Sequence, residues 1–240
     1  IIPLEAWGTP IYGDRDHIEA GKVKDKLREI VDETCVHKGG RLLIPAFSVG
    51  RTQEILSLLN DLHNEGDLPN IPVFVDSPLS INATEIMKRH PDSFNSSLRE
   101  KLLEDPDPFG FDRLNYIQDA EESKSLNNYK EPCIIVSASG MMEGGRIKHH
   151  LAHSIGNPLN TLLIVGYCSP GTLGRALLNG LNEVRIYGET FKVGMDVREL
   201  APLSAHGDRN ELLRFLSCQD PLIVKKTFLI HGDDEARQAF

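Results

Sequence analysis

The sequence predicts an α/β fold: a parallel β-sheet flanked by helices, followed by a segment of different rhythm. The first observation is a set of strand-length apolar runs, at 42–46, 72–76, 132–136 and 161–165, with no alternation between inward and outward residues. Strands covered on both faces read this way, because side chains of both parities must be apolar. The second is that stretches with helical spacing separate these runs, as the crossovers of a parallel sheet require. The third is that each run ends in a loop rich in Gly, Ser or Pro before the next helix begins.

The elements follow in order. From 17 to 36, Ile18, Val23, Leu27, Ile30 and Val31 recur at helical spacing among polar residues, which predicts a helix. Leu42, Leu43 and Ile44 then form a buried strand, and Ile55, Leu56, Leu59 and Leu62 mark one side of a helix over 51–65. Val73, Phe74 and Val75 make the second strand, and 79–89 the helix after it. Residues 92–128, rich in acid, Ser, Pro and Asn, predict short helices with irregular links. Ile134, Ile135 and Val136 form the third strand, 146–153 a helix after Gly144-Gly145, and 161–165 the fourth strand. Beyond Val184 the pattern changes. Residues 184–187 and 191–193 flank Gly188-Glu189 as a hairpin. A short strand near 197–200, a helix over 209–216, a strand at 227–230 and a last helix near Asp234 complete the chain, with a boundary expected near residue 182.

Bulk properties narrow the function. With 240 residues and 40% hydrophobic content the chain can bury a sizeable core. A net charge of −9 argues against a protein that grips long nucleic acid through one basic face. It leaves room for a cleft that holds a few phosphates, since global charge says little about one site. No apolar run is long enough to cross a bilayer. Cys35, Cys133, Cys168 and Cys218 form no CxxC pair, which fits reduced thiols of a cytoplasmic protein. The chain begins Ile1-Ile2-Pro3-Leu4 without Met, so the expectation is a start within a longer protein.

In open parallel sheets ligands bind at the carboxyl ends of the strands. The loops there carry Ser48 and Arg51, then Asp76 and Ser77, then Ser137, Ser139, Gly140 and Arg146, and finally Thr172. Small residues let a backbone approach a ligand, and Arg binds phosphate as a fork, so these residues are candidates for holding phosphate groups. The same residue types also serve as turn and cap residues between strand and helix. None of the loops matches a Walker or dinucleotide pattern. Near the end of the chain, Ser204-Ala205-His206-Gly207-Asp208 and Ile230-His231-Gly232 each place a His beside Gly, where an imidazole can act as ligand or acid–base group. His149 and His153, at i and i+4, could share a helix face as a metal pair, but no HExxH glutamate accompanies them, and a structural or groove role fits better.

Six motifs occur in one order: Ile44-Pro45-Ala46-Phe47-Ser48-Val49-Gly50-Arg51, Val75-Asp76-Ser77-Pro78-Leu79, Ser139-Gly140-Met141-Met142, Gly166-Tyr167 with Gly171-Thr172-Leu173-Gly174, Ser204-Ala205-His206-Gly207-Asp208 and Ile230-His231-Gly232. In this order they resemble the β-CASP branch of the metallo-β-lactamase superfamily, a family of RNA-processing nucleases. The resemblance implies a metallo-β-lactamase αββα domain interrupted by a β-CASP insertion, with RNA between them and two zinc ions that activate a hydroxide against a phosphodiester. It implies that 1–17 close the first metallo-β-lactamase part, 18–181 form the β-CASP domain, and 182–240 are the C-terminal metallo-β-lactamase part. His206 takes the place of the general acid and His231 that of a zinc ligand. Glu5 takes the place of the acidic partner of His206, although strict register with Ile11-Tyr12-Gly13 sets Thr9 there. The resemblance also implies homodimers, which are common among the bacterial relatives.

The family's HxHxDH motif is absent from the 240 residues. A catalytic zinc takes three protein ligands and a water, so the chain alone is expected to hold no stable dinuclear centre and to cleave nothing. Two alternatives have a different character. One is a non-catalytic RNA- or phosphate-binding subunit of the same fold; the other is an unrelated α/β enzyme acting on phosphates.

Overall fold

The computed structural model describes residues 20–200, 209–220, 222–229 and 234–240. Helix α1 (Ala20–Val31) buries Val23, Leu27, Ile30 and Val31, the residues whose spacing predicts it. Its last turns widen into a π-helical segment, Asp32–His37, which buries Thr34 and Cys35. Then come β1 (Arg41–Pro45), α2 (Arg51–Asn64), β2 (Val73–Val75), α3 (Pro78–Lys88), α4 (Ser96–Glu104), β3 (Leu114–Tyr116), α5 (Ala120–Ser125), β4 (Cys133–Ser137), α6 (Arg146–Ser154), β5 (Thr161–Ile164) and α7 (Leu173–Leu178). A hairpin of β6 (Glu183–Ile186) and β7 (Glu189–Lys192) is followed by β8 (Asp196–Glu199), α8 (Arg209–Ser217) and α9 (Asp234–Ala239).

Six strands form one sheet in the order β3-β2-β4-β1-β5-β8, and every pairing in it is parallel. Leu43 of β1 stands level with Ile135 of β4 and Leu162 of β5, and Phe74 of β2 stands level with Ile135. On this face Leu43, Leu162 and Ile164 pack with Ile147 and Leu151 of α6, Leu177 of α7, and Val184 and Ile186 of the hairpin. Val75, of the opposite parity to Phe74, packs instead with Leu56 of α2, Ile81 of α3 and Phe109. Both faces are therefore covered, which is why the central strands read as unbroken apolar runs.

The edges are polar. β3 is Leu-Asn-Tyr with Asn115 exposed, too short and polar to stand out in the stretch read as irregular. β8, expected as a short strand after the hairpin, joins the sheet beside β5. Its Asp196 pairs with Lys38, and Arg198 lies 2.9 Å from Glu33. Charged and short edge strands discourage pairing with another chain.

Residues 21–201 form one compact unit, so the hairpin and β8 belong to the body of the sheet by contact. Residues 1–20 and 202–240 form the other. In that second unit α8 buries Leu212, and α9 ends the chain. The strand expected at 227–230 is not formed over its described residues 227–229; Phe228 there is 59% exposed, with no ladder partner among the described residues. Replacing Leu43, fully buried at the centre of the sheet, with Ala should cost about 2–5 kcal/mol of stability in urea denaturation.

Candidate functional site

In a fully parallel sheet the loops after β2, β4, β1 and β5 all leave at one edge, side by side in that order. Asp76 sits at the start of the first. Its N–H donates to the Val136 carbonyl at 2.9 Å, which keeps it in the sheet, and its own carbonyl accepts from Ser137 Oγ at 2.7 Å. The side chain has no exposed surface. A buried carboxylate is costly unless donors surround it. Here Oδ1 accepts from Arg146 Nη1 at 2.7 Å, and Oδ2 accepts from Ser123 Oγ at 2.5 Å and faces His150 Nε2 at 2.6 Å. Burial alone pushes the Asp76 carboxyl up; the bonds from His150, Ser123 and Arg146 outweigh it and hold the group below its ordinary value.

The partners are fixed in turn. Arg146 Nη1 and Nη2 donate to the carbonyls of Ile117 and Gln118, just past β3, at 3.2 and 2.7 Å. His150 Nδ1 faces Asn127 Oδ1 at 2.9 Å. One carboxylate thus ties together the ends of β2 and β3, helix α5 and the first turns of α6. Gly145, at the start of α6, has φ +75°, and a Cβ there would lie 2.1 Å from the Ala138 carbonyl oxygen, so only glycine brings Arg146 into this position.

The other loops lean on this centre. Ser77, buried, caps α3 by accepting from Ser80 N–H, and its Oγ lies 3.3 Å from that of the half-buried Ser48. Gln53 of α2 donates to Thr84 Oγ1 at 2.9 Å and to the Ser48 carbonyl at 3.2 Å. Arg51 forms an ion pair with Glu54. Gly140 packs beneath the ring of Phe47, where a Cβ would meet the ring at 3.1 Å; Phe47 itself is 46% exposed. Ser139 N–H and Oγ both reach the Gly144 carbonyl, at 3.3 and 3.4 Å. Thr172 caps α7, and Leu173 N–H donates to Glu143 Oε1 at 2.5 Å, joining the loops after β4 and β5.

The structure therefore brings Ser48, Arg51, Asp76, Ser77, Ser137, Ser139, Gly140, Arg146 and Thr172 to one edge of the sheet. It does not expose them equally. Asp76 and Ser137 are interior, Ser77 and Thr172 are helix caps, and Ser48 and Ser139 are half-buried in loops. Glu5, His206 and His231 lie outside the described residues. His150, Ser123 and Asn127 were not singled out in the sequence, although His150 shares the buried face of α6 with Ile147, Leu151 and Ser154 at helical spacing. Its neighbours do not form a metal pair: His153 Nδ1 donates to the His149 carbonyl at 2.8 Å, and the His149 ring stacks on Tyr187. Among the described residues no group of three His, Cys, Asp or Glu side chains could hold a metal ion; His231, the zinc ligand that the resemblance implies, is not among them. Cys35, Cys133 and Cys168 are buried free thiols, whereas Cys218 is exposed. No helix among the described residues is long and apolar enough to cross a membrane.

A parallel sheet whose strand-end loops are linked through Asp76, Ser137 and Arg146 agrees with the order of motifs in the sequence, and comparison with known families places it. The Beta-Casp domain profile matches residues 52–177, more than half of the chain, and the chain belongs to that family. A second profile, that of the Zn-dependent metallo-hydrolase RNA specificity domain, matches residues 190–240. Among curated proteins, a ribonuclease of Thermus thermophilus is 35% identical over 93% of this chain and 50% of its own length. An RNase J-like protein of Methanocaldococcus jannaschii is 35% identical over 97% of the chain and 52% of its own length. Transcription termination factor FttA of Methanosarcina mazei is 31% identical over 94% of the chain and 36% of its own length. The chain thus spans about half the length, or less, of these relatives.

Replacing Asp76 with Asn strands Arg146 and His150 around a neutral amide, and should cost about 3–5 kcal/mol at neutral pH. The carboxyl is more acidic folded than unfolded, so its contribution is complete above about pH 4 and is lost as the pH falls through the folded value. Urea denaturation across pH should show the gap between wild type and D76N closing below that point.

Proposed function

We propose that this chain is the substrate-side part of a zinc-dependent RNA phosphodiester hydrolase. The observation that carries the reading is the presence in one chain of the two profile matches, to a Beta-Casp domain and to an RNA specificity domain of zinc-dependent metallo-hydrolases. The edge of hydroxyl, Gly and Arg residues is chemically suited to the same role. The names of the relatives, two of them ribonuclease or RNase J-like, point the same way.

In this reading residues 18–181 are the β-CASP domain, and 1–17 and 182–240 belong to the metallo-β-lactamase part. Ser48, Ser77, Ser139, Gly140 and Thr172 face RNA phosphates at the strand ends, with Arg51 and Arg146 near them. Asp76 and Ser137 act through the residues they hold. His206 protonates the leaving oxygen, with Glu5 as its acidic partner. His231 is one zinc ligand; the remaining ligands of a dinuclear site come from outside the 240 residues, because one His cannot complete a site that takes three protein ligands. Reduced thiols and a cytoplasmic setting accompany this function.

In the complete protein, His206→Ala should slow cleavage of a 5′-labelled single-stranded RNA by about 10²–10⁴-fold. Zinc content and RNA affinity should stay at the wild-type level. Undiminished cleavage would overturn the role of His206. Wild-type protein that binds RNA in a salt-sensitive way yet never cuts it would establish the non-catalytic subunit instead. The 240-residue chain by itself is expected to retain no stable pair of zinc ions and to leave the RNA intact, as metal analysis and the same cleavage assay would read.

A further inference from the structure

The turn between β6 and β7 has two residues, Tyr187 at φ +52° and Gly188 at φ +85°. Both are left-handed, the geometry of a hairpin turn that prefers Asn-Gly, Asp-Gly or Gly-Gly. Gly188 suits its place. A bulky aromatic residue at a left-handed position is strained and invites a functional explanation. The Tyr187 ring stacks on His149 of α6, with centroids 4.7 Å apart and planes 29° from parallel, and Lys148 Nζ lies 5.4 Å from its centroid. Tyr187 nevertheless stays 55% exposed. Arg185, also exposed, donates from Nη2 to the Gly188 carbonyl at 3.2 Å and so stands beside the turn.

Two grooves border this helix surface. One, of about 510 Å³, has Lys148 and Arg185 in its wall together with Glu143 and Glu183, and reaches Thr172 and Leu173 of the strand-end loops. The other, of about 480 Å³, has Arg146, His149, His153 and Lys124 in its wall. On a chain of net charge −9, this exposed stacked aromatic pair has the cations of Lys148 and Arg185 beside it, next to a groove that reaches the strand-end loops.

We propose that Tyr187 and His149 form a stacking platform for a base of single-stranded RNA, with Lys148 and Arg185 neutralising the adjoining phosphates, so that the strand runs from the loop after β5 towards the hairpin. The inference rests on the RNA-hydrolase reading and adds a path for the strand outside the strand-end loops. Aromatic faces accept any base, so the platform contributes affinity without sequence preference. It suits single strands, whose bases are free to stack, better than duplex.

The hairpin supplies a clean test, because Tyr187→Asn installs the Asn-Gly pair that this turn favours and should leave thermal stability equal to or above wild type. Binding of the complete protein to a fluorescent single-stranded RNA should weaken by about 5- to 100-fold in Y187N. In K148Q the slope of log affinity against log salt should fall by about 0.7, the signature of one lost phosphate contact on a single strand. Duplex RNA binding should change in neither variant. Wild-type affinity for single-stranded RNA in a folded Y187N would overturn the platform while leaving the hydrolase reading intact. Wild-type protein that binds no RNA at all would overturn both.

Discussion

The candidate site depends on one buried negative charge. Asp76 has no exposed surface, and its charge is tolerable only because Arg146, Ser123 and His150 all point at it. Those three come from α5 and α6, which the chain makes well after β2. Arg146 then reaches two carbonyls beyond β3, so the same ion pair also fixes a segment at the sheet edge. Buried ion pairs are poor sources of net stability against an apolar replacement, because desolvation offsets most of their attraction. Their geometry, however, is exacting. At this edge the gain is in position: loops that would otherwise drift are tied to one carboxylate.

That constraint links the fold to the proposed chemistry. A phosphate-holding edge needs hydroxyls and N–H groups already in place before substrate arrives, since ordering them later would cost binding energy. The backbones here approach closely enough to supply that order. Gly140 lies against Phe47, Gly145 against Ala138, and Gly174 against Cys168 and Met142, contacts that leave no space for a Cβ without rearrangement. Glu143 extends the linkage to the loop after β5 by accepting from Leu173 N–H. Beneath the exposed groups at the edge, Asp76 and Ser137 are bonded to other groups of the protein.

Much of the sheet was legible in the sequence, and the limits of that legibility have physical causes. β1, β2, β4 and β5 fall within a residue or so of the apolar runs that predict them, because two covered faces force unbroken hydrophobicity. β3 did not stand out, since Leu114-Asn115-Tyr116 is an edge strand with an exposed centre and no period to detect. The strand expected at 227–230, not formed over its described residues 227–229, shows the converse, an apolar run that does not by itself guarantee a ladder. At the site, Asp76, Ser137 and Arg146 were visible as unusual strand-end residues. The bonds from Ser123 and His150 to Asp76 were not, because they join positions 47 and 74 residues apart. Burial of His150 could have been read from its spacing with Ile147, Leu151 and Ser154; its partner could not. The left-handed conformation of Tyr187 was equally hidden, because Tyr-Gly is not a turn signature.

The order of strands also bears on how the chain acquires its structure. β1 precedes the other five strands of this sheet in the sequence, yet it lies between β4 and β5. β2 and β3 can pair with each other early, but neither touches β1. Leu42, Leu43 and Ile44, fully buried in the finished protein, therefore have no ladder on either side until β4 has followed, with β2 and β3 made in between. Closing such long loops before any contact rewards them is slow, and it leaves an apolar strand open to the wrong neighbours meanwhile. A ribosome building this protein thus holds an apolar strand in waiting, with the π-helical turn and α1 made just before it.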